Sequence, residues 1–234
     1  MVCVVAFVLF LRVEAGRKDA LIPLDVFGNA AFSAALAIAG LMTFGMYAML
    51  FVVPLYLQST GGLSAFATGL VLLPMSVVFM IVSQCSGRIA NRMGARMIMV
   101  AGMALMGTGL LMLSLIGRVP NLWLIEIALL VVGVGLGLNT GPVNSVAVAN
   151  VAASRSGTAS GLLNTARMIG ATLGIAVLGS LFAVHASEGA ADGMVSGLRV
   201  ALFGGAVAEL IGAAVALTFI KADSMEQKAS QAGE

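Results

Sequence analysis

Three ionisable residues, Glu126, Arg167 and Glu209, interrupt stretches of sequence that are otherwise almost wholly apolar. If these stretches cross a lipid bilayer, a charged side chain within one of them marks an ion pathway or a charge pair. Glu209 is the deepest carboxylate, because it lies between the distant charges of Arg199 and Lys221. We therefore predict that Glu209 binds and releases protons. The alternative is a neutral, hydrogen-bonded carboxyl group that ties two helices together.

The other two ionisable residues lie nearer the ends of their apolar stretches. Glu126 follows Leu122 by four positions, so anchoring at the membrane interface explains it as well as proton coupling does. Arg167 follows Ser160 by seven positions, and an arginine side chain can extend its charge toward the membrane surface from that depth. All three ionisable residues are kept as candidates for proton coupling.

Uncharged polar side chains predict a substrate cavity within the same stretches. Tyr47 lies in the middle of one stretch and carries a hydroxyl group that needs a partner. Asn139 and Asn144 flank Pro142, which has no backbone N–H and is expected to kink a helix. An asparagine inside a membrane span is costly unless it meets another helix or a water-filled cavity. Cavity lining is the prediction for all three side chains, and interhelical hydrogen bonding is the alternative for the asparagines.

Enzyme activity and resident cofactors find no support in the sequence. Ser160 and His185 fall at opposite edges of one predicted span, and no Asp lies within any span, so membrane proteases are disfavoured. His185 and the widely separated Cys3 and Cys85 match no metal-ligand spacing. The glycine-rich run 133–137 lacks the strand and acidic residue of a dinucleotide-binding site, so we interpret it as an element of helix packing or helix flexing.

The overall composition places these residues in lipid. Of the 234 residues, 60% are hydrophobic and only 9% are charged, and the mean hydropathy is +1.09. A soluble domain carries about 25% charged residues, because polar groups must cover its surface. Soluble enzymes, nucleic-acid-binding proteins and secreted disulfide-rich domains are therefore excluded. The expected fold is an all-α, polytopic membrane protein.

Apolar stretches of about 20 residues predict the membrane-spanning helices. No charged residue occurs from position 26 to position 87, and the polar run 58–64 divides this stretch into two. The predicted helices are Ala30–Leu57, Ala67–Cys85, Met97–Ile116, Leu122–Val146, Ser160–Val184 and Leu198–Ile220. They form a six-helix bundle at 30–220. We expect the tail of a truncated helix at 1–11, a cytoplasmic linker at 12–29 and a cytoplasmic polar tail at 221–234.

The distribution of basic residues predicts the orientation. Nine Lys and Arg residues lie in the stretches 12–29, 87–96, 150–160 and 221–234, and only Arg118 and Arg199 lie on the opposite side. Basic residues collect in the cytoplasmic connections of membrane proteins. We therefore expect a multi-pass protein of the inner (plasma) membrane with a cytoplasmic C-terminus.

One predicted connection carries a specific pattern. The run 87–96 places its arginines four residues apart between glycines, and a plain positive-inside loop is the simplest interpretation. The run also resembles the G-x-L-A-D-R-x-G-R-R loop of the major facilitator superfamily (MFS), through Gly87, Arg88, Asn91, Arg92, Gly94 and Arg96. Asn91 stands where the first-half version of this loop has Asp, so the charge-relay role of that Asp is not carried over.

The resemblance extends along most of the chain. The runs 23–32, 51–58, 69–74 and 157–167 are similar, in order and spacing, to the fourteen-span drug:proton antiporters of that superfamily. Asn164 lies in the last run and is a further cavity candidate, and the resemblance favours Arg167 as a structural or coupling residue. It implies the C-terminal half of a proton-driven exporter of small hydrophobic or amphipathic compounds, which needs an N-terminal half as its partner. A non-transporting membrane scaffold is the alternative.

The first testable prediction concerns orientation. In a variant without native cysteines, a cysteine at position 59 should react with a membrane-impermeant maleimide on intact cells. A cysteine at position 154 should react only after the cells are permeabilised, because the nine-to-two distribution of basic residues puts it in the cytoplasm. The reverse labelling pattern would overturn both the orientation and the resemblance that agrees with it.

Overall fold

A computed structural model describes residues 24–186 and 190–220. Six long helices run through these residues: α1 (Ala30–Ser59), α2 (Ala65–Met93), α3 (Ala95–Ser114), α4 (Leu122–Ala149), α5 (Ser156–Ala186) and α6 (Ala190–Phe219). Short 3₁₀ turns at Leu24–Gly28 and Ala153–Arg155 precede α1 and α5. The predicted helix tail at 1–11, most of the linker at 12–29 and the polar tail at 221–234 lie outside the described residues.

The predicted all-α membrane architecture is confirmed for the described residues. All six helices are long and apolar enough to cross a membrane, and this part of the chain contains no β-strand. Most helices extend past the predicted ends, because the first polar or charged residue at a membrane surface does not stop a helix. Capping residues define the starts of three helices. Asn29 accepts hydrogen bonds from two backbone N–H groups of the first turn of α1, and Ser64 and Asn121 cap α2 and α4.

The predicted connection at 87–96 is wrong as a loop. Helix α2 continues through Met93 and α3 begins at Ala95, so Gly94 is the only residue outside a helix. Gly94 adopts a φ of +87°, which glycine reaches without the steric cost that other residues pay. The residues before it, Arg88 to Met93, are mostly good helix formers. The arginines therefore project from the last turns of α2 and the first turn of α3.

The helices pack as two groups of three. Helix α4 lies between α2 and α3, while α1 packs against α5 and α6, and contacts between α3 and α6 join the groups. In each helix we compared the 18 most apolar consecutive residues. Only 11% of them are buried inside the bundle in α2 and 28% in α5, against 50% or more in each of the other four helices. The bundle therefore has an open side, where α2 and α5 flank α1 and α4.

Glycines set the closest contact in the bundle, the crossing of α1 and α5. A methyl group at Gly170 would overlap the carbonyl oxygen of Gly40, and a methyl group at Gly174 would overlap that of Phe44. The two glycines are one helical turn apart, so the backbones approach over a full turn. Helices in lipid associate through such close packing, because lipid tails are as apolar as the side chains they replace.

Helix α4 uses glycines on two of its sides. A methyl group at Gly133 would come within 2.7 Å of the carbonyl oxygen of Met75 in α2. A methyl group at Gly135 would come within 2.5 Å of the carbonyl oxygen of Gly102 in α3. The run 133–137 thus lies inside a helix and packs it against two neighbours. Its interpretation as a helix-packing element is confirmed.

Polar contacts at the two ends of the bundle pair the helix termini. Asn29, at the start of α1, donates a hydrogen bond of 3.2 Å from Nδ2 to Oδ1 of Asn150, at the end of α4. At the opposite end, the hydroxyl group of Tyr56 donates a hydrogen bond of 2.7 Å to the carbonyl oxygen of Gly117, between α3 and α4. The helices therefore alternate in direction, as the predicted topology requires, while their orientation in the membrane stays a prediction.

The glycine crossing yields the second prediction. Gly170→Ala should destabilise the bundle by about 1–3 kcal/mol, because the added methyl group forces α5 away from α1. Gly161→Ala is the matched control on the same helix, since no atom lies within 4 Å of a methyl group there. It should stabilise the protein by about 0.5–1 kcal/mol through helix propensity. Thermal unfolding in detergent measures both, and equal effects of the two variants would contradict the crossing.

Candidate functional site

A cavity of about 320 Å³ lies on the open side of the bundle, bounded by α1, α2, α4 and α5. It sits at mid-length, because Phe79 and Ala171 in its wall are the central residues of α2 and α5. Apolar and methionine side chains, which adapt to ligands of irregular shape, dominate its wall. The lining residues are Met42, Thr43, Met46, Tyr47, Phe79, Leu136, Thr140, Asn164, Arg167, Met168 and Ala171.

A larger cavity of about 450 Å³ lies at one end of the bundle, next to Asn29 and Asn150. No charged side chain of the described residues lines it, and its wall includes Ile220, the last residue described. The mid-length cavity is therefore the better candidate for a functional site.

Arg167 is held beside the mid-length cavity by contacts from two other helices. Its Nη2 donates a hydrogen bond of 3.2 Å to Oδ1 of Asn144 in α4. Asn144 donates in turn through Nδ2 to the carbonyl oxygen of Thr140 at 2.8 Å, which turns its own Oδ1 toward the guanidinium. On the other side, Thr43 of α1 donates a hydrogen bond of 2.8 Å to the carbonyl oxygen of Arg167. Both the backbone and the head group of Arg167 are thus positioned.

The positive charge of Arg167 has no acidic partner within residues 24–186 and 190–220. The ion pair found in this part of the chain joins Arg118 and Asp192, which are exposed at one end of the bundle. Nε of Arg167 is buried and makes no hydrogen bond to any described residue. Leaving a buried donor unpaired costs about 1–3 kcal/mol. The guanidinium therefore has unused donor capacity at the cavity.

The structure brings Tyr47 and Asn164 to this cavity, and Asn144 reaches it through its bond to Arg167. Asn139 lies elsewhere. It is fully buried against Gly102 of α3, and its Nδ2 donates to the carbonyl oxygen of Gly135 in its own helix. Successive residues of a helix point about 100° apart, so when Thr140 faces the cavity its neighbour faces α3.

Several lining residues were missed from the sequence. The hydroxyl group of Thr140 bonds to a carbonyl oxygen within its own helix, and that of Thr43 lies within reach of the carbonyl oxygen of Ala39 as well as that of Arg167. Because a threonine hydroxyl can bond within its own helix, a threonine in a span carries no signal of a polar environment. The apolar residues Met42, Met46 and Phe79 look the same in sequence whether they face a cavity or lipid. Only the packing of four helices distinguishes them.

Glu209 lies outside this cavity, in the interior between α1, α3 and α6. Its side chain is fully buried, and neither carboxyl oxygen has a hydrogen-bond partner among the described residues. Oε1 lies so close to Gly45 of α1 that an added methyl group there would come within 2.5 Å, and Leu110 of α3 borders the same glycine. An ionised carboxylate without a partner cannot be accommodated in such a site. Burial therefore favours the neutral form of the carboxyl group.

The three ionisable candidates do not meet. Arg167 contacts α1 at Thr43, while Glu209 contacts it at Gly45, on a different side of the helix. Glu126 is partly exposed in the second turn of α4, close to one end of the bundle. The motif residues Gly87, Arg88, Asn91, Arg92, Gly94 and Arg96 lie at the other end, away from the mid-length cavity. Arg88, Asn91 and Arg92 are exposed there.

Ser160 and His185 do not form a catalytic pair. They lie at opposite ends of α5, separated by about 37 Å along the helix axis at the usual rise per residue. Within the described part of the chain, no group of three or more His, Cys, Asp or Glu side chains could hold a metal ion. What the arrangement can do is bind a small molecule at mid-length and hold a neutral acid in the interior behind it.

Comparison with known proteins identifies the relatives of this chain. Residues 1–175 match the sequence profile of the Major Facilitator Superfamily. The multidrug resistance protein Stp of Mycobacterium tuberculosis is 35% identical over 179 residues, which cover 76% of this chain and 33% of that protein. The methylenomycin A resistance protein of Bacillus subtilis is 33% identical over 185 residues, covering 79% of this chain and 40% of that protein. The tetracenomycin C resistance and export protein of Streptomyces glaucescens is 32% identical over 185 residues, covering 79% and 34%.

The fold has a solved counterpart. A solved structure from work on substrate recognition in proton dependent oligopeptide transporters superposes on 87% of this chain. The TM-score is 0.74 and the sequence identity is 16%. The similarity shows a shared fold. The chain spans 33–40% of the length of the three relatives named above and 46% of that structure.

The isolation of Glu209 yields the third prediction. Glu209→Met should stabilise the bundle by about 1–3 kcal/mol, because it replaces an unpaired buried polar group with an unbranched apolar side chain of similar size. Glu209→Lys should unfold it, because an ammonium group would be equally unpaired and remains charged. Glu126→Met at the partly exposed position is the control and should change stability little. Thermal unfolding in detergent measures all three variants. Loss of stability in Glu209→Met would mean that the carboxyl group holds the helices together.

Proposed function

Because the chain belongs to the Major Facilitator Superfamily, we propose that it forms part of a transporter that exports small hydrophobic or amphipathic compounds in exchange for protons. Its six membrane-length helices and its family imply a multi-pass membrane protein, and the family points to a transporter. The proposal places it in the drug:proton antiporter branch, in the inner (plasma) membrane, with a cytoplasmic C-terminus. The names of its relatives, which include multidrug resistance and export proteins, support export as the direction.

The observation that carries the proposal is the mid-length cavity on the open side of the bundle. Transporters of this kind bind substrate near the bilayer midplane, between two helical units that rock against each other. The cavity lies at that depth and is bounded by α2 and α5, the two helices with the least burial. We infer that a second six-helix unit covers this side. Together the two units would enclose the substrate and open it alternately to each face of the membrane.

The proposal assigns the coupled proton to Glu209, and α1 carries the coupling. Gly45 of α1 packs against the carboxyl group of Glu209, while Met46, the next residue, lines the cavity. The neutral carboxyl group fits a dry interface between α1 and α6, but an ionised one needs water or a counter-charge. Loss of the proton would therefore separate α1 from α6 and move the cavity wall. If the ligand and the proton favour different positions of α1, binding of one lowers the affinity for the other.

The fourth prediction tests this coupling. The chain is inserted into the Mycobacterium tuberculosis multidrug resistance protein in place of the matching segment, and efflux of cationic, neutral and anionic lipophilic dyes is followed by fluorescence. Glu209→Gln should reach the membrane at normal levels but lose proton-driven efflux, because the amide keeps the shape and cannot exchange a proton. Glu126→Gln is the matched control. It should retain efflux if Glu126 anchors the helix at the membrane interface.

Three outcomes would contradict the proposal. Normal efflux in Glu209→Gln, with failure of Glu209→Ala to accumulate, would make Glu209 a structural residue. The chain expressed alone should insert and give no energy-dependent efflux, since alternating access needs two units. Efflux by the chain alone, abolished by a protonophore, would instead indicate a homodimeric transporter. Absence of efflux in every arrangement would favour the non-transporting scaffold.

A further inference from the structure

Arg167 gives the mid-length cavity a charge that the surrounding protein does not neutralise. Among the described lining residues it is the only one that carries a charge at neutral pH, and the described residues supply it with no carboxylate. A guanidinium group carries five N–H donors. One is used by Asn144, and Nε is buried without an acceptor. Nη1 and Nη2 carry the donors that remain for a ligand in the cavity that Arg167 lines.

Contacts from two other helices hold Arg167 in place. Thr43 bonds to the carbonyl oxygen of Arg167 from α1, and Asn144 bonds to Nη2 from α4. A planar guanidinium held in one orientation matches the two oxygens of a carboxylate, which it binds through two parallel hydrogen bonds. Both Asn144 and Thr43 are neutral, so neither competes as a counter-ion.

The remaining wall of the cavity is suited to an apolar body. Met42, Met46, Phe79 and Leu136 provide flexible, apolar and aromatic surface in the same cavity. The position also separates a soluble ligand from a lipid headgroup. Arg167 lies four residues from the central residue of α5, or about 6 Å along the axis, whereas headgroups lie at the membrane surfaces.

From this geometry we propose that the cavity selects amphipathic organic anions, with the carboxylate of the ligand bound by Arg167 and its apolar part against the methionine and phenylalanine side chains. This assignment rests on the proposed transport function and narrows its substrate class. A cation of the same size and shape is disfavoured, because it would face an unpaired guanidinium in a site of low polarity.

The test compares three probes of matched shape: naphthoate, naphthylmethanol and naphthylmethylamine. The full chain is reconstituted in phosphatidylcholine nanodiscs, and binding is measured by equilibrium dialysis against empty nanodiscs. Naphthoate should bind most tightly and naphthylmethylamine least. In Arg167→Gln, naphthoate affinity should fall by about tenfold or more, as expected for loss of a charge-assisted hydrogen bond, while naphthylmethanol affinity stays within about twofold. The naphthoate affinity of Arg167→Lys should lie between that of the unmodified chain and that of Arg167→Gln, because an ammonium group keeps the charge without the paired donors.

Arg199→Gln is the matched control, since Arg199 is an exposed arginine of α6 outside the cavity. It should leave all three affinities unchanged. Tighter binding of naphthylmethylamine than of naphthoate to the unmodified chain would overturn the assignment, and this comparison needs no variant to fold. Equal naphthoate binding by the unmodified chain and by Arg167→Gln would also overturn it. Binding is measured here without transport, so the two proposals can fail separately. If the three probes bind in the predicted order but no efflux is seen, the result counts against the proposed transport function and leaves the assignment of organic anions standing.

Discussion

The contact between α1 and α5 determines most of the geometry of the candidate site. The backbones touch because Gly170 and Gly174 leave room for the carbonyl oxygens of Gly40 and Phe44. That distance allows Thr43 to bond to the carbonyl oxygen of Arg167 across the interface. A side chain in place of Gly170 would push the helices apart and break this bond, and the guanidinium would lose its position. In lipid, where apolar burial does not favour one helix contact over another, small residues specify the site.

Helix α1 also separates the two ionisable groups Arg167 and Glu209. One side of it forms the cavity wall through Thr43 and Met46, and another side meets Glu209 at Gly45. A rigid helix transmits a displacement along its whole length without needing a chain of polar contacts. Any movement of α1 therefore changes both environments together, even though the acid and the cavity share no side chain.

The number of helices and their approximate positions follow from the sequence, because a long apolar run bounded by charged residues crosses a bilayer as a helix. The helix ends follow less well, as the run 87–96 illustrates. Charge indicated a loop there, but a single glycine with positive φ completes the reversal. Tyr47 was predicted because its hydroxyl group needs a partner in the middle of a span, and Asn164 because it lies in the run 157–167 that resembles the antiporters. Asn139 has the same signal and a different location, since the sequence does not fix the rotation of α4 about its axis.

The isolation of Glu209 and Arg167 from each other has a mechanistic consequence. Had they paired, each would have neutralised the other, and separating a buried ion pair costs about 3–5 kcal/mol. Such a pair would hold α1, α5 and α6 in one arrangement. Kept apart, the acid is stable only as the neutral form in the packed interior, and the guanidinium retains donors for a ligand. Each group can then change its state without breaking an ion pair, and in the proposed mechanism the packing of α1 links the two changes.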